Sequence, residues 1–202
     1  GQYNFDRIRI EYFGDDNAAM EAFKAGVYTF RTETLPKRWA NDYNFPTVAS
    51  GDVVKTVLPS GNIAGGQSII FNLRREQFQD PRVREALGLV FNFEWSNKSL
   101  FYGLFTRINS IWENSEMAAT GTPTPEEVAI LQPLVDEGLV PASLLTDEAA
   151  MAPVSSDANN LDRKNLRKAS ALLDEAGWTV GEDGMRRNAK GETLRMEMFH
   201  SR

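Results

Sequence analysis

The densest group of side chains able to bind a small molecule lies between residues 102 and 114, here called the candidate wall. It combines apolar rings with amide and charged groups that form hydrogen bonds, a composition typical of small-molecule sites. The pattern predicts a binding surface, but it also suits core packing by Phe105 and Trp112 with polar neighbours in solvent. The members of the group are Tyr102, Phe105, Arg107, Asn109, Trp112, Glu113 and Asn114.

Side chains for nucleophilic catalysis are scarce. The only histidine is His200, two positions from the end, and there is no cysteine. A Ser/His/Asp arrangement would have to use His200, and a Cys/His arrangement would lack its nucleophile. The carboxylate pairs Asp15–Asp16 and Glu126–Glu127 can in principle do acid–base work. Both lie at predicted helix N-termini, where negative charge favours the helix dipole. We interpret them as helix caps and predict no catalytic residue.

Composition argues against several other kinds of site. Histidine and cysteine do not cluster, and the acidic stretch from Asp147 to Asp162 lacks calcium-loop spacing, so no metal site is predicted. No phosphate-binding glycine motif is present, and no cofactor is predicted. The formal net charge of −6 argues against nucleic acid or an anionic membrane as partner. The absence of a run of about 18 apolar residues argues against direct membrane insertion.

The residues before the candidate wall predict a strand followed by two helices. Ser68 to Leu73 is rich in isoleucine and phenylalanine, which is typical of a buried strand at the centre of a sheet. Asp80 and Pro81 supply an N-cap and a proline in the first helical turn. We expect this helix to pack on the sheet and Asn92 to cap a second helix. The expected buried face consists of Val83, Ala86, Leu87, Val90 and Phe91.

The rest of the chain predicts further strands and helices. The pattern before the central strand indicates a βαβ unit, two short helical turns and another strand. After the candidate wall, Thr124 and Glu127 form a capping box for a helix that Pro133 disturbs. An irregular stretch, an amphipathic helix, a hairpin and a last strand follow. The ranges are 3–13, 17–25, 28–32, 36–40, 46–50 and 53–58, then 135–160, 161–176, 178–180, 185–187 and 194–200.

Three segments of this sequence resemble a known protein family. They are FNLRREQFQDPRVREALGLVFNFEW, EYFGDDNAAMEAFKAGVYTFR and LFYGLFTRINSIWENSEMAATGTPTPEE. They are similar to the dipeptide/oligopeptide/nickel family of extracellular solute-binding proteins (family 5), which serve ATP-binding cassette importers, and to its oligopeptide/microcin-type branch. The resemblance covers nearly the whole chain. Val27, Thr29 and Gln79 depart from the usual pattern at positions expected on the surface.

The resemblance implies an α/β fold with a mixed sheet and flanking helices, as in a periplasmic-binding-protein-like lobe of type II, dipeptide-binding class. Residues 1–202 are expected to form a single domain, part of the second lobe of a two-lobed protein. We expect this lobe to be truncated, because the apolar terminal strand LRMEMFH needs neighbours. The first lobe of the same protein is then a missing partner.

The function implied by the resemblance is binding, not catalysis. A bacterial periplasmic or other extracytoplasmic protein of this kind encloses a peptide or peptide-like molecule between its lobes and delivers it to the cognate importer permease. Asn72, Arg74 and Arg75 stand where the family's chain approaches the cleft. The planar fork of Arg74 suits a carboxylate, although a plain surface arginine is the alternative. The expected ligand-binding residues are Asn72, Arg74, Tyr102, Arg107, Asn109, Trp112 and Asn114.

Two other function classes stay open on the sequence. One is a hydrolase domain acting on peptides or esters, which turnover assays would reveal. The other is an interaction module that binds no small ligand, for which no small molecule would change the protein's behaviour.

Overall fold

The computed structural model describes residues 4–199. Its contacts divide these residues into two compact units, which we call unit 1 (4–59 and 100–104) and unit 2 (60–99 and 105–199). In chain order the elements are α1 Asp16–Lys24, α2 Pro36–Asn41, α3 Pro46–Ala49, a 3₁₀ turn Glu76–Phe78, α4 Pro81–Val90, α5 Phe93–Leu100, α6 Pro125–Asp136, a second 3₁₀ turn Ala142–Leu145, α7 Arg163–Glu175, β1 Thr179–Val180 and β2 Arg186–Arg187.

The helices of unit 1 begin at residues that suit a helix N-terminus. There a side chain binds the free backbone N–H groups, or a proline has no N–H group to satisfy. The Asp15 side chain accepts hydrogen bonds from the N–H groups of Asn17 and Ala18, both at 2.9 Å, and so caps α1. Proline stands in the first turn of α2 and of α3, where its missing N–H has no cost. The predicted helix, the two helical turns and the capping role of Asp15 are confirmed, whereas Asp16 lies in the first turn and pairs with Arg31 and Arg38.

An aromatic cluster fills the interior of unit 1. Helix α1 buries Met20 and Phe23. The Phe23 ring centroid lies 5.3 Å from that of Tyr28 and 6.2 Å from that of Phe45, distances at which aromatic pairs attract. Burial raises the pKa of Tyr43, which packs against the same rings.

The core of unit 2 is a helix pair. Helix α4 packs against α7, and the 3₁₀ turn and Trp178 complete the cluster. Val83 has no exposed surface, which makes it the best-buried large side chain of the described residues. The buried members are Phe78, Val83, Ala86, Leu89, Ala169, Leu173 and Trp178.

The predicted buried face of α4 is partly wrong. Val83 and Ala86 are buried as expected, but Leu87 is only half-buried and Val90 is 47% exposed. Leu89 takes the third inward position, because α4 packs on the helix α7 and not on a sheet. Phe91 leaves the helix with extended backbone angles, so helical spacing no longer sets its direction.

Several predicted strands do not form in the described residues. Residues 68–73 contain no strand, and Ile70 is 85% exposed instead of central in a sheet. The described parts of 3–13, 28–32, 53–58 and 194–200 are likewise without strand, so the predicted βαβ unit is wrong here. A strand exists only through repeated pairing, and these ranges form no ladder within residues 4–199, although the Leu194 N–H donates to the Arg186 carbonyl oxygen of β2 at 2.8 Å. Tyr3 and His200, at the ends of two of them, lie outside the described residues.

The described sheet is the predicted hairpin. Strands β1 and β2 pair antiparallel, with Thr179 opposite Arg187, and Thr193 adds one isolated bridge to Arg187. The mixed sheet expected from the sequence is therefore not seen in this part of the chain, which is mostly helical where it is regular.

The capping box and the amphipathic helix are confirmed. Thr124 and Glu127 bond each other's backbone N–H groups at the start of α6. Helix α6 continues through Pro133 to Asp136, so the proline disturbs it less than predicted. Asp162 caps α7, which ends before Gly177 at a positive φ of 83°.

Candidate functional site

The part of the candidate wall that belongs to unit 2 begins at residue 105, whose backbone is held by a side chain of α5. Asn97 Nδ2 donates to the Phe105 carbonyl oxygen at 2.7 Å, and Asn97 Oδ1 accepts from the Phe105 N–H at 3.0 Å. Both hydrogen-bonding groups of residue 105 are satisfied by one amide. The backbone of residue 105 is therefore fixed to α5.

Arg107 stacks on two aromatic rings. Its guanidinium carbon lies 5.5 Å from the ring centroid of Phe91 and 5.2 Å from that of Phe93, within the range of cation–π attraction. The side chain is half-buried. Among residues 4–199 it makes no hydrogen bond or ion pair, so its five N–H donors are available.

A hydrogen bond between Asn109 and Glu113 forms a turn in the middle of the candidate wall. The Asn109 N–H donates to Glu113 Oε2 at 3.0 Å, and Asn109 Oδ1 accepts from the Ala152 N–H at 2.9 Å. The side-chain oxygen of Asn109 thus holds the backbone that precedes α7, and the contact of Asn109 with ligand stays a prediction.

Asn114 anchors the end of the candidate wall to the segment that follows unit 1 in the sequence. Its φ is +63°, a left-handed conformation that asparagine tolerates better than most residues. Its Nδ2 donates to the carbonyl oxygens of Ser60 and Asn62, at 3.0 and 2.7 Å. The side-chain nitrogen of Asn114 thus binds the protein's own backbone, and only its side-chain oxygen is left to contact a ligand.

The segment 60–66 and the candidate wall also approach each other at two further points. The Ala64 N–H donates to the Glu113 carbonyl oxygen at 2.9 Å. A Cβ atom at Gly66 would overlap the end of the Ile108 side chain, which would have to move to admit it.

Trp112 and Phe105 lie outside the buried core. Trp112 is 39% exposed and Phe105 is 42% exposed, and neither belongs to the core cluster of unit 2. The Trp112 backbone is held in a turn, since its N–H bonds Ser110 Oγ at 3.0 Å. A ring that is half open on a fixed backbone can form part of a ligand contact surface.

The remaining predicted site residues lie in separate places. Asn72 Oδ1 accepts from the Arg74 N–H at 3.1 Å and so closes a turn. Arg74 is exposed, and its guanidinium has no partner in the described part of the chain. Tyr102 belongs to unit 1, where it is exposed with a positive φ of 57°. The assignment of all seven residues to ligand binding stays a prediction.

A buried polar network supports the elements beneath the candidate wall. Asn92 caps α5 as predicted, because its Oδ1 accepts from the Trp95 N–H at 2.9 Å. Its Nδ2 also donates to the carbonyl oxygens of Ser156 and Asn159, at 2.7 and 2.8 Å. Glu94 Oε2 accepts from the Ser155 N–H at 2.9 Å. These bonds fix the irregular stretch before α7. The stretch is predicted from the sequence, but the bonds that fix it were missed.

An open polar cleft of about 550 Å³ lies at the start of α7, between residues 156 and 164. Asp162 occupies the helix N-terminus there and accepts from the N–H groups of Ser156, Lys164 and Asn165. Hydrogen bonds from the Ser156 and Asn165 backbone hold the pKa of Asp162 below its usual value. A negative side chain already fills the position that an anion would take, so this cleft is not an anion site.

Two aromatic side chains beside Arg107, those of Phe91 and Phe93, were missed by sequence reasoning. Phe91 is predicted on the buried face of α4 and Phe93 has no predicted role, whereas both rings lie within cation–π distance of Arg107. The signal was the triplet Phe91–Asn92–Phe93, two aromatics flanking a helix cap at the junction of two helices.

Residues 4–199 contain no group of three or more histidine, cysteine, aspartate or glutamate side chains placed to hold a metal ion. No helix within that range has the length and apolar character needed to cross a membrane.

Comparison with known proteins gives consistent matches. The sequence matches the family described as "Bacterial extracellular solute-binding proteins, family 5 Middle" over residues 1–200. It is 37% identical to "Uncharacterized protein YejA" of Escherichia coli (strain K12) and 41% identical to "Probable peptide-binding protein YejA" of Agrobacterium fabrum (strain C58 / ATCC 33970). Each alignment covers 98% of this chain and 32% of the relative. "Peptidoglycan-binding protein YepA" of the same Agrobacterium strain is 35% identical, over 97% and 32%.

Proposed function

Because the chain belongs to family 5 of the bacterial extracellular solute-binding proteins, we propose that it is part of a binding protein that delivers a peptide or peptide-like ligand to an ATP-binding cassette importer. The observation that carries this proposal is the family match over residues 1–200. The printed name of the Agrobacterium relative at 41% identity, a probable peptide-binding protein, supports peptide as the ligand class. The natural compartment of such a protein is the periplasm or another extracytoplasmic space.

The family implies an α/β fold of the periplasmic-binding-protein kind. The chain spans about a third of the length of the relatives it matches. On the proposed function, residues 1–202 are a domain from the second lobe, of the type II, dipeptide-binding class, and the first lobe supplies the other half of the site. Exposed apolar residues such as Ile70 are then positions where the rest of a mixed sheet pairs and packs.

The ligand is enclosed when the two lobes close on it. Closure replaces the hydration of the ligand with fixed hydrogen bonds and stabilises the shape that the permease recognises. Trp112 supplies apolar surface, and Arg74 and Arg107 supply cationic donors. Asn72, Tyr102, Asn109 and Asn114 complete the proposed contact set.

Binding without catalysis is part of the same proposal. The carboxylate pairs at 15–16 and 126–127 serve as helix caps or occupy first turns, so they need no catalytic explanation. A hydrolase acting on peptides or esters would release products from peptide and ester substrates, and an interaction module would respond to no small ligand.

Native mass spectrometry tests the proposal on the natural protein that carries this chain, purified from its source without refolding. A co-purified peptide or peptide-like mass, unchanged after incubation, is the expected result. Cleaved products would favour the hydrolase. A protein that arrives empty and binds no peptide from a defined library would overturn the proposal.

A further inference from the structure

We propose that Arg107, stacked on Phe91 and Phe93, binds a carboxylate of the peptide ligand. The inference rests on the proposed function, since it assigns a residue to the ligand of the same site. It differs from the sequence expectation, which placed this role on Arg74.

Arg107 lacks the hydrogen-bond and ion-pair partners that other partly buried arginines have in the described structure. Arg31, Arg38 and Arg186 each bind a carboxylate in the described structure. The Arg107 guanidinium carries five N–H donors, and none of them binds a carboxylate or carbonyl oxygen of the described residues. Arg107 is half-buried, and no described residue pairs with it. An acceptor from the ligand would satisfy these donors.

Two carboxylates close in sequence to Phe93 or to Arg107 accept hydrogen bonds from backbone N–H groups. Glu94 accepts from the Ser155 N–H, and Glu113 accepts from the Asn109 N–H. Neither is recorded as an ion-pair partner of Arg107. Its positive charge is therefore left for another anion.

The position of Arg107 is fixed on both sides. Asn97 holds the backbone of Phe105 two residues before it, and Asn109, two residues after it, is bonded to Glu113 and Ala152. A side chain presented from a fixed backbone and stacked on rings loses little freedom on binding, which favours affinity.

The two rings leave the donors of Arg107 free to bind. The guanidinium carbon lies 5.5 and 5.2 Å from the ring centroids of Phe91 and Phe93, and aromatic rings do not accept the N–H groups as a carboxylate does. A carboxylate is planar and accepts two parallel hydrogen bonds from a guanidinium. The carboxylate is either the C-terminal group of the peptide or an acidic side chain.

The test uses three libraries of tripeptides Ala-Xaa-Ala with the natural protein that carries this chain. The first has a free C-terminus and neutral Xaa, the second is its C-terminal amide, and the third is an amide with aspartate or glutamate as Xaa. Affinity is measured by native mass spectrometry and the melting temperature of the free protein by calorimetry. The variants are Arg107→Met, Arg107→Lys and, as a control, Arg167→Met, which removes an exposed charge from α7.

We expect the wild type to bind a carboxylate-bearing library more tightly than the fully amidated neutral one. Arg107→Met should weaken that binding about 10- to 100-fold, as expected for a charge-assisted bidentate pair. Arg107→Lys should fall between, because it keeps the charge and loses the fork. Arg167→Met should leave affinity unchanged. Preference for the first or the third library identifies which carboxylate is bound.

Three outcomes would overturn the inference. Equal affinities for all libraries and for Arg107→Met would leave peptide binding intact and remove Arg107 from it. A lower melting temperature of free Arg107→Met with unchanged affinity would mean that Arg107 pairs with a carboxylate of the protein itself. A wild type that binds none of the libraries would overturn the proposed function as well.

Discussion

The side-chain amide of Asn92 donates a hydrogen bond of 2.8 Å to the carbonyl oxygen of Asn159, 67 residues further along the chain. The same side chain caps α5, so one buried residue fixes a helix start and the irregular stretch before α7. A buried polar residue with all its groups bonded is expected to contribute strongly to stability.

Asn92→Ala should lower the free energy of unfolding by about 2–4 kcal/mol, since it removes the cap of α5 and the two hydrogen bonds that this buried side chain donates to carbonyl groups. Urea denaturation measures the loss. Asn159→Ala is the matched control, because Asn159 takes part in this contact through its backbone only. Similar losses in the two variants would contradict the role assigned to Asn92.

Val83→Ala should destabilise the protein by about 2–3 kcal/mol, because it removes two methyl groups from a fully buried position and leaves a cavity between α4 and α7. Val90→Ala, a change of the same size on the half-exposed side of α4, should cost less than about 0.5 kcal/mol. Chemical denaturation of both variants gives the comparison. A larger loss for Val90→Ala would mean that α4 buries the face predicted from the sequence.

Gly66→Ala should destabilise the contact between the segment before α4 and the candidate wall, because its new methyl group meets the Ile108 side chain. The double variant Gly66→Ala with Ile108→Ala should lose less than the sum of the two single variants, since the second change makes room for the first. Melting temperatures of the four proteins complete the cycle. Additive losses would show that the two side chains do not compete for space.

The β1–β2 hairpin should weaken at low pH. Hydrogen bonds from the Arg187 side chain lower the pKa of Asp183 to about 2. Because the unfolded value is about 3.9, Asp183 stabilises the hairpin above about pH 4, and this contribution is lost as the pH falls toward 2. Amide exchange of the Gly181 N–H, which bonds the Met185 carbonyl, measures it.

In Asp183→Asn the protection of that amide should depend less on pH over the same interval. Glu182→Gln is the control, since it removes a neighbouring carboxylate and keeps the Asp183–Arg187 pair. An unchanged pH profile in Asp183→Asn would refute the assignment.

Trp112→Ala in the natural protein should weaken peptide binding by about tenfold or more, as truncation of an aromatic contact residue commonly does. The melting temperature of the free protein should change little, because the ring is outside the core. Ile111→Ala, at a more exposed neighbouring position, is the control. A large drop in melting temperature with unchanged affinity would place Trp112 in a structural role.

Local signals in the sequence predicted the helices well. Asp15, Asn92 and Thr124 act on N–H groups two or three residues away, so their capping can be read from spacing alone. The β1–β2 hairpin is equally local. In each case the interacting groups lie within about ten residues of each other in the chain.

The absence of the predicted strands and the hydrogen bonds that hold the candidate wall could not be predicted from local sequence. The segment 68–73 has the composition of a strand, but strand formation depends on a distant partner, and no described segment provides one. The bonds of Asn92 to Ser156 and of Asn114 to Ser60 join residues more than fifty positions apart. Nothing in the local sequence marks which distant carbonyl an amide will meet.

The paired hydrogen bonds between Asn97 and residue 105 make the side-chain amide a substitute for a neighbouring peptide bond. Such a contact recognises the main chain and is independent of the side chain at residue 105. In a mutational scan, position 97 should therefore accept neither aspartate, which lacks the donor, nor leucine, which lacks both groups. Position 105 should keep this contact with any residue except proline, whose nitrogen has no hydrogen to donate.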